Sequence, residues 1–252
     1  MEFGMFHEFP SLPGRNDGEA FDEALEQVDA AERLGLDVMW LAELHFEPRR
    51  SLLSAPLSIG SAIAARTRHI KIGIAVQVLP LCHPLRLVEE AATVDQLSHG
   101  RLIFGVGRSG VAQTYEAYGV PYGESRERFR EILDIVERAW TEPSFSYDGA
   151  YHSFKNVAVV PKPYQKPTPP IRIVASTPDT FPAIGRRGAA VFASVRHQLD
   201  RPCRADPQLS RGLGGSWSPR QGPSLCLGSD VRRRNRRASP LRAPGKHHAF
   251  LS

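Results

Sequence analysis

Through residues 1–194 the chain alternates short apolar runs with segments whose apolar positions recur every three to four residues, the pattern of repeated βα units. Glu2–Phe6, Val38–Leu41, Ile70–Val78, Leu102–Val106, Ile171–Ala175 and Ala189–Ala193 read as strands. A helix is predicted from about Glu19, with Phe21, Leu25, Val28 and Ala31 or Glu32 on one face and Gly35 placed to end it. Ser54–Ala65 reads as a second helix. Pro84 opens a third through Leu85, Val88, Ala91 and Leu97, and Gly100 stops it. The sharpest apolar stripe is Phe129, Ile132, Leu133, Val136 and Trp140, with Ser125 in position to cap its start. Phe145–Pro163 is irregular, as a small hairpin or loop insertion would be, and a short helix is expected near Asp179.

Six strands joined by helices predict an α/β fold with a parallel sheet, two strands short of the eight that close a barrel. From Val195 onward both periodicities vanish and Arg, Pro, Gly and Ser dominate. Residues 195–252 carry 11 Arg and 1 Lys against 3 Asp, so the net charge of +5 comes from this tail and residues 1–194 are mildly acidic. The expected division is a truncated barrel over 1–194 and a basic low-order tail over 195–252. The tail replaces two βα units where an appendage would follow them, and GC-rich codons read out of frame give this composition, so a frameshift product is one reading. A disordered tail and a basic nucleic-acid-binding segment are the others.

The remaining composition narrows the setting. No run of about 18 apolar residues predicts a membrane span, and Met1–His7 lacks the charged and apolar regions of a secretory signal. Three cysteines without metal-type spacing provide neither a disulfide framework nor a zinc site. A cytoplasmic protein without metal is the expectation.

In a βα barrel the functional residues lie just past the C-terminal ends of the strands. His7, Glu43, His45, Gln77, Arg108, Ser176 and Thr177 all do so on the predicted strands. Gly105-Val-Gly107-Arg-Ser-Gly110 matches the GxGxxG dinucleotide fingerprint, but that motif needs a helix opening on the glycines, and the next clear helix starts near Ser125. Ser176, Thr177 and Thr180 span a strand end and a helix start, where hydroxyls and backbone N–H groups can hold an anion or simply cap the helix. Glu43 could act as a base or as a buried partner of Arg108. Arg108 could equally be a surface residue paired with a nearby glutamate. His45 could serve a site or satisfy a strand end, Cys82 reads as a buried inert thiol, and His83 as structural.

Trp40-Leu-Ala-Glu43-Leu-His45-Phe46, Ile72-Gly-Ile-Ala75-Val76-Gln77-Val-Leu-Pro80, His83-Pro84, Asp95-Gln-Leu-Ser-His-Gly100-Arg101 and Phe104-Gly-Val-Gly-Arg108 occur in an order and spacing that resembles the bacterial luciferase-like family of flavin-dependent monooxygenases. The resemblance covers about residues 1–194. It implies a luciferase-like (β/α)8 TIM barrel, here incomplete, that binds reduced FMN supplied by a separate reductase and uses O2 to oxygenate a small organic substrate. It further implies Arg108, Ser176, Thr177 and Thr180 at the flavin phosphate, and Ala75, Val76 and Gln77 beneath the ring, where relatives hold a non-proline cis peptide at Ala75-Val76. His45 and Glu43 become the catalytic candidates, and a homodimer is the family-like assembly. Leu44 stands where luciferases carry the first of two histidines, the catalytic one, so the pattern departs from that of a light-emitting enzyme. The same barrel also serves a deazaflavin cofactor in hydride-transfer oxidoreductases. A non-catalytic, truncated pseudoenzyme is the alternative of a different class.

Overall fold

A computed structural model describes residues 2–11, 14–175, 190–194 and 225–227. Ser176, Thr177, Thr180 and the helix expected near Asp179 lie outside the described residues. In chain order the elements are β1 (Gly4–His7), α1 (Asp17–Arg33), β2 (Val38–Leu41), α2 (Pro56–Arg66), β3 (Lys71–Ile74), β4 (Gln77–Val78), α3 (Pro84–Leu97), β5 (Leu102–Gly107), α4 (Ala112–Ala117), α5 (Ser125–Thr141), β6 (Phe145–Asp148), β7 (Ser153–Val157), β8 (Ile171–Ala175), β9 (Ala190–Ser194) and β10 (Leu225–Leu227). No helix among the described residues is long and apolar enough to cross a membrane.

Strands β1, β2, β3, β5, β8, β9 and β10 lie side by side in that order, with β4 paired beside β5. Every pairing in this sheet is parallel. Strand order therefore follows chain order, as in a singly wound barrel, and not the reversed order of a doubly wound dinucleotide fold. β6 and β7 form a separate antiparallel hairpin, the insertion anticipated after Phe145. No pairing closes β1 onto β10 among the described residues. β10 lies inside the segment where the sequence pattern predicts no strand.

Side chains alternate across the sheet, as the two-residue period of a strand demands. Met39, Leu41, Ile72, Ile74, Leu102 and Phe104 join the main core beneath the helices. Val38, Trp40 and Ile103 face the other way, packed with Ala75 and Val76. Trp40 lies across Gly73, where a Cβ would overlap the indole, so this inner layer depends on a glycine in the neighbouring strand. Arg172 of β8 reaches the same indole, its Cζ 5.8 Å from the ring centroid.

Local chemistry sets the helix ends. α1 begins two residues before the predicted start because Asn16 and Glu19 form a reciprocal capping box: Asn16 Oδ1 accepts from the Glu19 N–H at 2.9 Å. Gly35, at φ +75°, closes that helix, its N–H donating to the Glu32 carbonyl. Gly100, at φ +82°, does the same for α3.

Two sequence expectations fail here. The single strand expected over Ile70–Val78 is two strands, β3 and β4, separated at Ala75–Val76, whose peptide bond is cis. Ser125 is not a cap: a 3-10 turn over Tyr122–Glu124 runs directly into α5, so Ser125 is already helical and its hydroxyl is free to serve elsewhere.

Candidate active site

The ends of β2, β4 and β5 bring Glu43, His45, Gln77 and Arg108 to one rim of the sheet. Glu43 follows β2 and is nearly sealed. Its Oε2 accepts from the Gln77 Nε2 at 2.6 Å and from the Val78 N–H at 2.9 Å, while Oε1 lies 2.8 Å from His45 Nε2. A carboxylate accepts and does not donate, so His45 carries its proton on Nε2 and leaves Nδ1 as an acceptor. Tyr118, at the C-terminal end of α4, places its hydroxyl 3.2 Å from that Nδ1. One continuous line of hydrogen bonds thus runs from Val78 and Gln77 through Glu43 and His45 to Tyr118.

The rings of His45, Phe46 and Tyr118 surround the outer end of this line, with centroids 5.2–5.9 Å apart. Phe46 holds φ +58°, a left-handed backbone uncommon for a bulky residue, and its side chain stands out from the rim. Tyr118 is also partly exposed. Sequence periodicity missed α4 because its six residues, Ala-Gln-Thr-Tyr-Glu-Ala, bury only Thr114 and Tyr115 and show no apolar stripe. With α4 missed, Tyr118 carried no signal. A short helix does follow Gly110 after all, contrary to the sequence expectation; the dinucleotide reading is excluded by the strand order instead.

Arg108 follows β5. Its Nη1 donates to Ser125 Oγ at 2.9 Å, and its Cζ lies 5.8 Å from the Tyr122 centroid. Tyr115 anchors the same turn by donating from its hydroxyl to the Arg108 carbonyl; burial pushes that phenol up to about 12, so it stays protonated. The pairing of Arg108 with Glu43 or another glutamate, open in the sequence, does not occur among the described residues. Both Glu43 oxygens are taken by N–H donors, and the guanidinium is drawn instead to Ser125 and Tyr122.

Gln77 is 6% exposed, and with its Nε2 held by Glu43 the Oε1 is a buried acceptor without a partner among the described residues. Its Nε2 also lies 3.4 Å from Cys82 Sγ. Burial pushes the Cys82 thiol up to about 12, with the Glu43 charge adding to the effect, so it is inert at neutral pH. His83 opens α3 and packs edge-on against His152 and Phe154, a structural placement. His7, the last residue of β1, is closed off: Nδ1 accepts from the Phe9 N–H and Nε2 faces Gln27 Oε1, each at 2.9 Å. No group of three or more metal-ligating side chains occurs among the described residues.

This donor set fits a flavin in two respects. Arg108 offers a guanidinium fork of five N–H groups with one spent on Ser125, the geometry that suits a phosphate. On the neighbouring strand, Gln77 opposes Val106 and holds an unused carbonyl that an N–H donor of a ring would satisfy. The hydroxyls that would complete the phosphate site, Ser176, Thr177 and Thr180, lie outside the described residues.

Comparison with known proteins places this geometry. A family model described as luciferase-like monooxygenase matches residues 1–201. The chain is 28% identical over 182 residues to the oxygenase component of a flavin-dependent trigonelline monooxygenase from Acinetobacter baylyi, covering 71% of this chain and 50% of that protein. It is 32% identical over 219 residues to an F420-dependent glucose-6-phosphate dehydrogenase from Kineococcus radiotolerans, covering 78% and 64%. Among solved structures, the monooxygenase RslO1 from Streptomyces bottropensis superposes with a TM-score of 0.76 at 28% identity, over 84% of this chain and 63% of that one. The chain spans about half the length of curated relatives it matches, 49% and 50% in two cases.

Proposed function

Since the chain belongs to the luciferase-like monooxygenase family, we propose that it is the flavin-binding part of a monooxygenase that uses reduced FMN and O2 to oxygenate a small organic substrate. A separate reductase supplies the reduced flavin. The observation that carries this reading is the pairing of β4 with β5, which brings Gln77, with its unused carbonyl, and Arg108 to the same sheet rim.

When bound, the flavin supplies the oxygen chemistry. The chain's own residues position and shield it. Arg108, steadied by Ser125 and Tyr122, holds the phosphate. Gln77 accepts from a ring N–H and is itself oriented by Glu43. Ala75 and Val76 form the apolar floor continuous with Trp40 and Ile103. Glu43 holds the His45 proton on Nε2, which leaves Nδ1 facing the rim as an acceptor. Ser176, Thr177 and Thr180 complete the phosphate site.

A second reading is hydride transfer with a deazaflavin, favoured by the 32% identity to an F420-dependent dehydrogenase. Titration of the full chain with FMN, with anaerobically reduced FMN and with a deazaflavin separates the two. Reduced FMN is expected to bind more tightly than the deazaflavin; the reverse order selects the hydride-transfer reading. Arg108→Ala is expected to weaken FMN binding about ten- to a hundredfold, on the scale of hydrogen bonds to a charged group. Riboflavin, which lacks the phosphate, should bind the variant and the parent alike. Equal FMN affinity in the variant removes Arg108 from the phosphate site. Binding of neither cofactor overturns both readings.

A further inference from the structure

The line that ends at Tyr118 is more than a means of holding His45 still. Its polarity is set at the inner end by the Glu43 carboxylate, which only accepts. Val78 and Gln77 donate to Glu43, Glu43 accepts from His45 Nε2, and His45 Nδ1 faces the Tyr118 hydroxyl at 3.2 Å. A proton arriving at the outer end has somewhere to go, because an imidazolium at His45 would sit 2.8 Å from the Glu43 carboxylate. The outer end is accessible: Tyr118 is 45% exposed and Phe46 59%. Their rings are 5.7 Å apart at 44°, leaving an aromatic wall on which a further ring can stack or abut edge-on.

We propose that Glu43, His45 and Tyr118 form a proton-accepting relay for a phenol-class substrate, whose ring packs on Phe46 and whose hydroxyl meets the Tyr118 oxygen. The step balances without an outside reagent. The substrate O–H bond breaks, and its proton passes to Tyr118 Oη as the Tyr118 proton moves to His45 Nδ1. The substrate remains as a phenolate with its electron pair on oxygen, and His45 becomes an imidazolium held by Glu43. The result is an electron-rich ring at the mouth of the site. This assignment rests on the reading of this rim as the site of a flavin-dependent monooxygenase.

The surrounding charges suit a relay. Burial, and then the Glu43 charge, raise the Tyr118 phenol above its ordinary value, so Tyr118 passes a proton on and does not itself stay ionised. Glu43 and Cys82 are the groups that act on it, and the thiol is neutral at working pH. Glu43 is therefore the charge that draws the proton inward.

The test needs no flavin. The full chain is titrated with 4-nitrophenol at a pH where the free probe is largely un-ionised, and the absorbance of the phenolate is followed. The parent should bind the probe with the phenolate band present, and 4-nitroanisole, which has no proton to give, should bind more weakly. Tyr118→Phe keeps the ring and should keep binding while losing the band. Phe46→Leu should weaken binding about two- to tenfold, the scale of an aromatic pair, and leave the band in whatever binds. Circular dichroism and the thermal midpoint establish that both variants are folded. A probe that fails to bind, binds un-ionised, or keeps its band in Tyr118→Phe overturns the proposal. FMN affinity, measured in parallel, fails or survives independently, so loss of this relay and loss of the flavin reading are told apart.

Discussion

His7 ends β1 and His45 stands four residues beyond the end of the neighbouring β2, both at the same end of the parallel sheet, yet their surroundings assign them opposite roles. Both carry the proton on Nε2. His7 spends it on a neutral amide, and its Nδ1 accepts from the fixed Phe9 N–H. Protonating Nδ1 would set two donors face to face, and burial accordingly lowers the His7 pKa below its ordinary 6.5 despite opposing contributions from Gln27, Glu23 and Glu8. His45 spends its proton on a carboxylate, and its Nδ1 faces a hydroxyl that can turn round. Position on the barrel rim nominates a residue; the partner of each nitrogen decides what it can do.

The comparison breaks most severely at Glu43. Glu43→Leu leaves three buried or half-buried donors without their acceptor, and urea unfolding should report a loss of about 2–4 kcal/mol together with loss of FMN binding. His7→Ala should cost about 1–3 kcal/mol, because the Phe9 N–H loses its acceptor and the ring leaves a gap, but FMN affinity should stay within about twofold. If His7→Ala abolished flavin binding in a folded protein, the contrast between the two histidines would be lost.

A finer test is pH. Because the folded-state pKa of His7 lies below the unfolded value, the unfolded chain binds the extra proton first. Stability should hold above about 6.5 and fall as pH drops through the window between 6.5 and the lowered pKa. The difference in urea midpoint across that window should shrink in His7→Gln. An unchanged slope would assign the effect to another group. The smallest effect is expected for Tyr118→Phe, within about 0.5 kcal/mol of the parent in unfolding, since its ring stays and its hydroxyl is partly exposed.

Much of this architecture is written in local patterns. The βα alternation, the apolar stripe of α5, Gly35 and Gly100 each depend on residues within a turn or two of one another, and the structure bears them out. What escaped depends on contacts across the fold. The break between β3 and β4 leaves a run of β-branched residues unaltered on paper. Ser125 was misplaced because a cap and a helical serine differ only by the preceding 3-10 turn, and what draws its hydroxyl away is an arginine 17 residues upstream. Glu43 and Arg108 are both charged and both on the rim, which made them natural partners in one dimension; the interposed β3–β4 segment supplies Gln77 and Val78 instead. Tyr118 was invisible for a similar reason, since its importance comes entirely from a histidine 73 residues away.

The indole laid across Gly73 also gives the molecule a built-in optical reporter. Trp40 and Trp140 are both buried, but they stand on opposite faces of the sheet: one against Gly73 on the inner side, the other edge-on to Phe104 at 5.2 Å and hydrogen-bonded to the Val88 carbonyl beneath the helices. With the third tryptophan, Trp217, replaced by phenylalanine, replacing either of these two in turn leaves the fluorescence of the other to report its own layer. Emission from Trp40 would then follow what enters on the face of the sheet away from the helices, while emission from Trp140 would follow only the loosening of the helical shell.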